Sequence, residues 1–114
     1  MLDIKTRSVG DVTVLDLSGS IVAGLGLERL RPQIEKLAAE ERLNVVLNAK
    51  EVSIIDSAGV GELVAGFSLL KKKGGSLKVA NPSKIVREVL QIARIPKIIE
   101  VFDTEEAALA AFGK

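Results

Sequence analysis

The chain contains no cysteine, histidine, tryptophan or tyrosine, and only three phenylalanines. Without cysteine it has no disulfide framework and no thiolate nucleophile. Without histidine it lacks the commonest general base and the commonest zinc ligand. Any metal site would need oxygen ligands alone, and no clustered Asp/Glu loop of the calcium type occurs. Three Phe make a poor stacking surface for single-stranded nucleic acid. An excess of one charge is missing as well: 16 basic residues face 15 acidic ones. That balance gives no electrostatic pull towards DNA or an anionic membrane. No apolar run approaches the ~18 residues that span a bilayer. The start Met1-Leu2-Asp3-Ile4-Lys5 lacks a charged region followed by an apolar one, so no secretory leader is expected. These absences predict a cytoplasmic protein of one domain, residues 1–114, with no metal, no cofactor, no direct nucleic-acid contact and no membrane insertion. A domain of this size buries about two-thirds of its unfolded surface and needs no covalent staple.

What is present is a regular alternation. Asp3 to Ser8 and Asp11 to Ser18 read as a hairpin around the Gly10-Asp11 turn. Gly19 and Gly24 bracket a loop. Leu27, Leu30, Ile34 and Leu37 recur at helical spacing, with Pro32 requiring either a late start or a bend. Leu43 to Asn48 is a near-continuous apolar run suited to a strand buried on both faces of a parallel sheet. Val60, Leu63, Val64, Phe67 and Leu70 mark a second helix, ended by Lys71-Lys72-Lys73-Gly74-Gly75. Those lysines complement the negative helix end, and glycine stops the helix. Ser76 to Ala80 is a strand. Asn81-Pro82 reads as a cap and first turn for a helix with Ile85, Val89 and Ile92 on its apolar face. Ile98 to Phe102 is a last strand, and Asp103 with Glu106 opens a last helix as a capping box. The order β-β-α-β-α-β-α-β-α predicts an α/β domain. Its small mixed sheet has about four to five strands, an N-terminal hairpin followed by β-α alternation, and about four flanking helices.

The most informative stretch is Ile54-Ile55-Asp56-Ser57-Ala58-Gly59-Val60-Gly61-Glu62-Leu63. An apolar pair, read as buried, runs into a short polar turn and then into the second helix. Ser57 therefore sits at a helix N-terminus, where backbone N–H groups lack partners and the dipole favours an anion such as phosphate. Asp and Ser are also ordinary N-cap residues. Gly59 and Gly61 leave the first turn bare, either for close approach of another protein or for packing within the domain.

Catalysis is not expected. The nucleophile-elbow pattern is absent around Ser57, and no histidine is available to activate it. Gly59-Val60-Gly61 lacks the third glycine of the dinucleotide fingerprint, and no phosphate-loop lysine follows it.

The run Asn44-Val45-Val46-Leu47-Asn48, Val52, and Ile54 to Gly61 resembles the core motif of STAS domains, in particular bacterial anti-sigma factor antagonists. Leu17-Ser18-Gly19, Gly74 to Val79, Pro82-Ser83, Val86 to Leu90 and Val101-Phe102-Asp103 agree with it. The resemblance implies a phosphorylation-switched binding module, a monomer on its own. Ser57 would be the phosphoacceptor of an anti-sigma factor that is itself a serine kinase. The unphosphorylated chain would bind that factor and release a sigma factor, and a serine phosphatase would reset the switch. Asp56, Ser57, Ala58, Gly59, Val60, Gly61 and Glu62 would lie in the partner interface. Ser20 and Ile21 would join them, because the segment after the second strand lies near the phosphoacceptor in that family. Here Ser20, Ile21 and Val22 replace its usual acidic residues. Either the partner differs, or the module no longer cycles through phosphate. STAS domains also serve as adaptor subunits of lipid or anion transporters, which is the alternative reading.

Overall fold

The computed structural model describes residues 1–24 and 26–112. Strands β1 (Leu2–Val9) and β2 (Val12–Ile21) form the hairpin. A 3-10 turn (Leu27–Arg29) leads into α1 (Leu30–Ala39). Then come β3 (Asn44–Ile55), α2 (Ser57–Lys72), β4 (Ser76–Ala80), α3 (Lys84–Ile92), a second 3-10 turn (Ile95–Lys97), β5 (Val101–Phe102) and α4 (Glu105–Phe112). The five strands lie in the order β1-β2-β3-β4-β5, with β1 antiparallel to β2 and the remaining pairs parallel. The element order and the mixed sheet are those expected from the sequence.

The main core lies on one face of the sheet, where α1, α2 and α3 pack. Leu15, Leu17, Val45, Leu47, Val79, Ile34, Leu63, Leu70, Val86 and Leu90 meet there. The other face carries α4 on a smaller cluster of Val12, Val14, Val46, Ala80 and Ala108. The apolar run of β3 is thus divided between the two faces, as a central parallel strand requires. Burial of this kind contributes about 25 cal/mol per Å² of apolar surface.

Several local expectations change. Gly19 does not open a loop; it lies inside β2 with φ +104, where a Cβ would strike the Met1 carbonyl oxygen. Pro32 needs no bend, because α1 starts at Leu30 and its missing N–H falls in the first turn, where no intrahelical partner exists. The cap of α3 is Ser83, whose Oγ accepts from Val86 N–H; Asn81 instead takes φ +54 and its side-chain amide donates to Asn48. The cap of α4 is Thr104, accepting from Ala107 N–H, while Asp103 pairs with Arg87. The final strand is only Val101–Phe102.

Two differences bear on function. In β3 only Ile55 of the apolar pair is buried; Ile54 is 47% exposed. Between the pairs Asp16↔Asn48 and Ile21↔Ile55, β3 holds two more residues than β2. Such bulges reset which side chains face inward, so Val52 and Ile55 both reach the core although three positions apart. In α3 the core face is Val86 and Leu90. Of the periodic set, Val89 is half-buried and packs against that core, whereas Ile85 and Ile92 lie on the outer side, 56% and 84% exposed.

Candidate functional site

Parallel pairing of β2 with β3 brings their C-terminal ends together, Ser20 opposite Ile54 and Ile21 opposite Ile55. Both chains then leave the sheet at the same pole, β2 into segment 22–24 and β3 directly into α2. The turn between β3 and α2 is a single residue, Asp56, with φ −111 and ψ −176. Extended geometry at that position is what an N-cap requires. Asp56 Oδ1 accepts from Gly59 N–H at 2.8 Å, and Oδ2 accepts from Ala23 N–H at 3.2 Å. Asp56 N–H in turn donates to the Ile21 carbonyl at 3.3 Å.

The cap of α2 is therefore Asp56, and Ser57 is the first helical residue, exposed to solvent. Its hydroxyl is not used as the cap. The N–H groups expected to await an anion are already served in part by the Asp56 carboxylate. The Gly59 N–H bond, with smaller help from Ala23, holds the Asp56 carboxyl below the usual carboxylate range despite some desolvation.

The two glycines of the first turn have different roles. Gly59 is buried: a Cβ would strike the Ile21 carbonyl oxygen and lie 2.8 Å from Ile55 Cγ1. It packs α2 against the end of β2 and offers no surface to a partner. Gly61 is exposed with no atom within 4 Å of its Cβ position, so it leaves the helix bare. Ile21 is 2% exposed and likewise faces inward, contrary to its expected place in a partner surface. Ser57, Ala58, Gly61 and, in part, Asp56, Val60, Glu62 and Ser20 remain accessible.

Two grooves lie at the start of α2, one reached by Ala58 and the other by Ser57. One, of about 550 Å³, runs between segment 23–24 with Leu27 and Glu28 on one side and Ala58, Gly61 and Glu62 on the other. The ion pair Arg31–Glu62, 2.6 Å, ties α1 to α2 beside it. The second, of about 300 Å³, is lined by Ser57, Val60, Val89, Ile92 and Ala93 and is mostly apolar. Sequence reasoning missed Ala23, Leu27, Glu28, Ile92 and Ala93 as parts of this surface. The signal for Ala23 was available: parallel neighbours end at the same pole, so whatever follows β2 lies beside whatever follows β3.

Among the described residues no group of three acidic side chains is placed to hold a metal. No helix of the described residues is long and apolar enough to cross a membrane.

The arrangement can be set beside known proteins. The family model for the STAS domain matches residues 3–108. The chain is 35% identical over 107 residues to the anti-sigma-B factor antagonist of Bacillus subtilis, covering 94% of this chain and 88% of that protein. An anti-sigma factor antagonist from Mycobacterium paratuberculosis has a TM-score of 0.89 at 21% identity, over 100% of this chain and 96% of that one. The phosphorylated form of the Bacillus cell fate determinant SpoIIAA has a TM-score of 0.73 at 23% identity, over 96% of this chain and 99% of that one. The fold is thus that of anti-sigma factor antagonists, and the chain belongs to the STAS-domain family.

Proposed function

We propose that this chain is an anti-sigma factor antagonist switched by phosphate on Ser57, acting by binding and not by catalysis. Its partner on this reading is an anti-sigma factor with serine kinase activity, and a serine phosphatase restores the free hydroxyl. The observation that carries the reading is the position of Ser57. It is exposed at the first helical residue, its hydroxyl is free of the capping task, and it lines a mostly apolar groove, with its neighbour Ala58 lining a second.

In the phosphorylation step Ser57 Oγ attacks the γ-phosphorus of a nucleoside triphosphate held by the partner. An O–P bond forms, the bond to the β-phosphate oxygen breaks, the nucleoside diphosphate leaves, and the hydroxyl proton passes to a base or solvent. Phosphate adds about −1.5 to −2 charges at neutral pH. Beside the Asp56 carboxylate and an apolar groove, that charge raises the cost of covering Ser57. A penalty of only ~1.4 kcal/mol lowers affinity tenfold, so release needs no unfolding.

The test is a pull-down from the bacterium that encodes the chain, with mass spectrometry of the partners and of the Ser57 peptide. An anti-sigma kinase captured by the unmodified chain, together with phosphate on Ser57, supports the switch. Transporter components with an unmodified Ser57 would instead support the adaptor reading.

A further inference from the structure

Asp56 joins two elements, one through each carboxylate oxygen. Oδ1 is bonded within α2, to Gly59 N–H, and Oδ2 to Ala23 N–H in the segment leaving β2. Among the described residues the latter is the only side-chain hydrogen bond holding segment 22–24. Ala23 and Gly24, with Leu27 and Glu28, form one wall of the larger groove, and α2 forms the other. The Arg31–Glu62 ion pair and the bond from Asp56 N–H to the Ile21 carbonyl hold the elements around that groove, and among the described residues the Asp56 carboxylate alone reaches the part of the wall formed by segment 23–24. The same carboxylate sits where a phosphate on the next residue would seek its own N–H partners. Two anions on adjacent residues then compete for one helix N-terminus, and the double charge of the phosphate favours it over the single charge of Asp56.

We infer, on the reading that Ser57 is phosphorylated, that Asp56 is a positioning residue that clips the β2 exit segment to the Ser57 helix, and that phosphate on Ser57 opens the clip. The unmodified chain presents Ala23 and Gly24 in fixed register with Ala58 and Gly61 as one docking surface. The phosphorylated chain loses that register as well as gaining charge.

Three proteins test this, each as the full chain: Asp56→Ser, Asp56→Asn, and the wild-type sequence with phosphoserine genetically encoded at position 57. Ser still caps a helix but has one oxygen on a short arm. Asn retains an acceptor for Gly59 and turns an amide donor towards Ala23 N–H. In both variants the Ala23 amide should exchange with solvent at least about tenfold faster, while Gly59 stays within about threefold of wild type. The KM for phosphorylation by the partner kinase should rise about tenfold, with kcat within about twofold. Those kinetics separate positioning of a docking surface from general loss of structure. The phosphoserine protein should show the same faster exchange at Ala23. Unchanged Ala23 exchange in both Asp56 variants, or in the phosphoserine protein, overturns the clip, as does an unchanged KM when exchange has accelerated. If no kinase modifies the wild-type chain, the phosphorylation reading fails, while the exchange measurements still decide the clip. If Asp56→Ser does not fold, Asp56→Asn and the phosphoserine protein give the answer.

Discussion

Alanine at Gly59 and alanine at Gly61 should move stability in opposite directions, although the two sites are two residues apart on one helix. Replacing a helical glycine with alanine gains about 0.5–1 kcal/mol where the new methyl meets nothing. Gly61 is such a place: no heavy atom lies within 4 Å of its Cβ position. At Gly59 the methyl would overlap the Ile21 carbonyl oxygen, and lie 2.8 Å from Ile55 Cγ1 and 3.0 Å from Ile21 Cγ2. That carbonyl is in a strand and already accepts from Asp56 N–H, so it yields poorly. Overpacking of this kind costs about 1–3 kcal/mol, sometimes more, which exceeds the propensity gain. At roughly 5 °C per kcal/mol for a domain of this size, Gly61→Ala should raise Tm by about 3–5 °C. With the overlapped atom at Gly59 a backbone oxygen, the upper part of that cost, about 2–3 kcal/mol, applies; less the propensity gain, Gly59→Ala should lower Tm by about 5–12 °C. Thermal unfolding followed by circular dichroism reads both. A Gly59→Ala protein as stable as wild type would refute the close packing of α2 on the end of β2. A second readout separates fold from function, because Gly61→Ala, though more stable, should bind the anti-sigma factor less tightly if the bare first turn is a contact surface.

Ser57→Ala should change stability by no more than about 0.5 kcal/mol, because Asp56 and not Ser57 caps α2; a loss near 2 kcal/mol on denaturant titration would contradict that assignment. Ser57→Asp should leave Tm nearly unchanged and weaken anti-sigma factor binding at least about tenfold, as read by calorimetry. In α3, Leu90→Ala should cost about 2–5 kcal/mol, whereas Ile92→Ser, on an exposed site, should stay within about 0.5 kcal/mol; equal losses would restore the face read from periodicity. The guanidinium of Arg7, bonded also to Glu105, holds the Asp16 carboxyl below its usual value, with Asn48 assisting. A depressed carboxyl contributes stability above its unfolded pKa near 3.8 and loses it as pH falls through the folded value. Asp16→Asn should therefore flatten the loss of stability below about pH 4 in an acid titration, and an unaltered slope would argue against the pairing.

Much of the architecture was legible because its signals are local. The Gly10-Asp11 turn set the hairpin, with Val9 paired to Val12. The apolar run of β3 declared a strand covered on both faces. The alternation of strands and helices did the rest. What escaped depended on neighbours distant in sequence. Ile85, Val89 and Ile92 satisfy helical periodicity, yet α3 also has Val86 and Leu90, and only packing decides which stripe turns inward. Ile54 looked buried because the two extra residues in β3 leave no trace in composition. Asp103 and Asn81 are good caps by type, but Arg87 and Asn48 hold them for other purposes. At the site, Asp56-Ser57 was recognisable from its resemblance to a known motif. Which of the two side chains capped the helix was not, since either is a good cap by type, and the partnership of Asp56 with Ala23 spans 33 residues.

The hairpin has a practical corollary for anyone handling the protein. Leu2 pairs with Gly19, and Ser20 N–H donates to the Met1 carbonyl, so the first residue lies at the pole that holds Ser57. The last described helix runs the other way: Leu109 and Phe112 lie beside Val9, Asp11 and Val12 at the turn of the hairpin. A fusion joined ahead of Met1 would emerge next to the surface proposed to meet the partner, and on that proposal would mimic a loss of binding. The same fusion joined beyond α4 would emerge at the far end of the molecule and leave that surface clear, so the choice of terminus decides whether a bait reports on the switch or on its own tether.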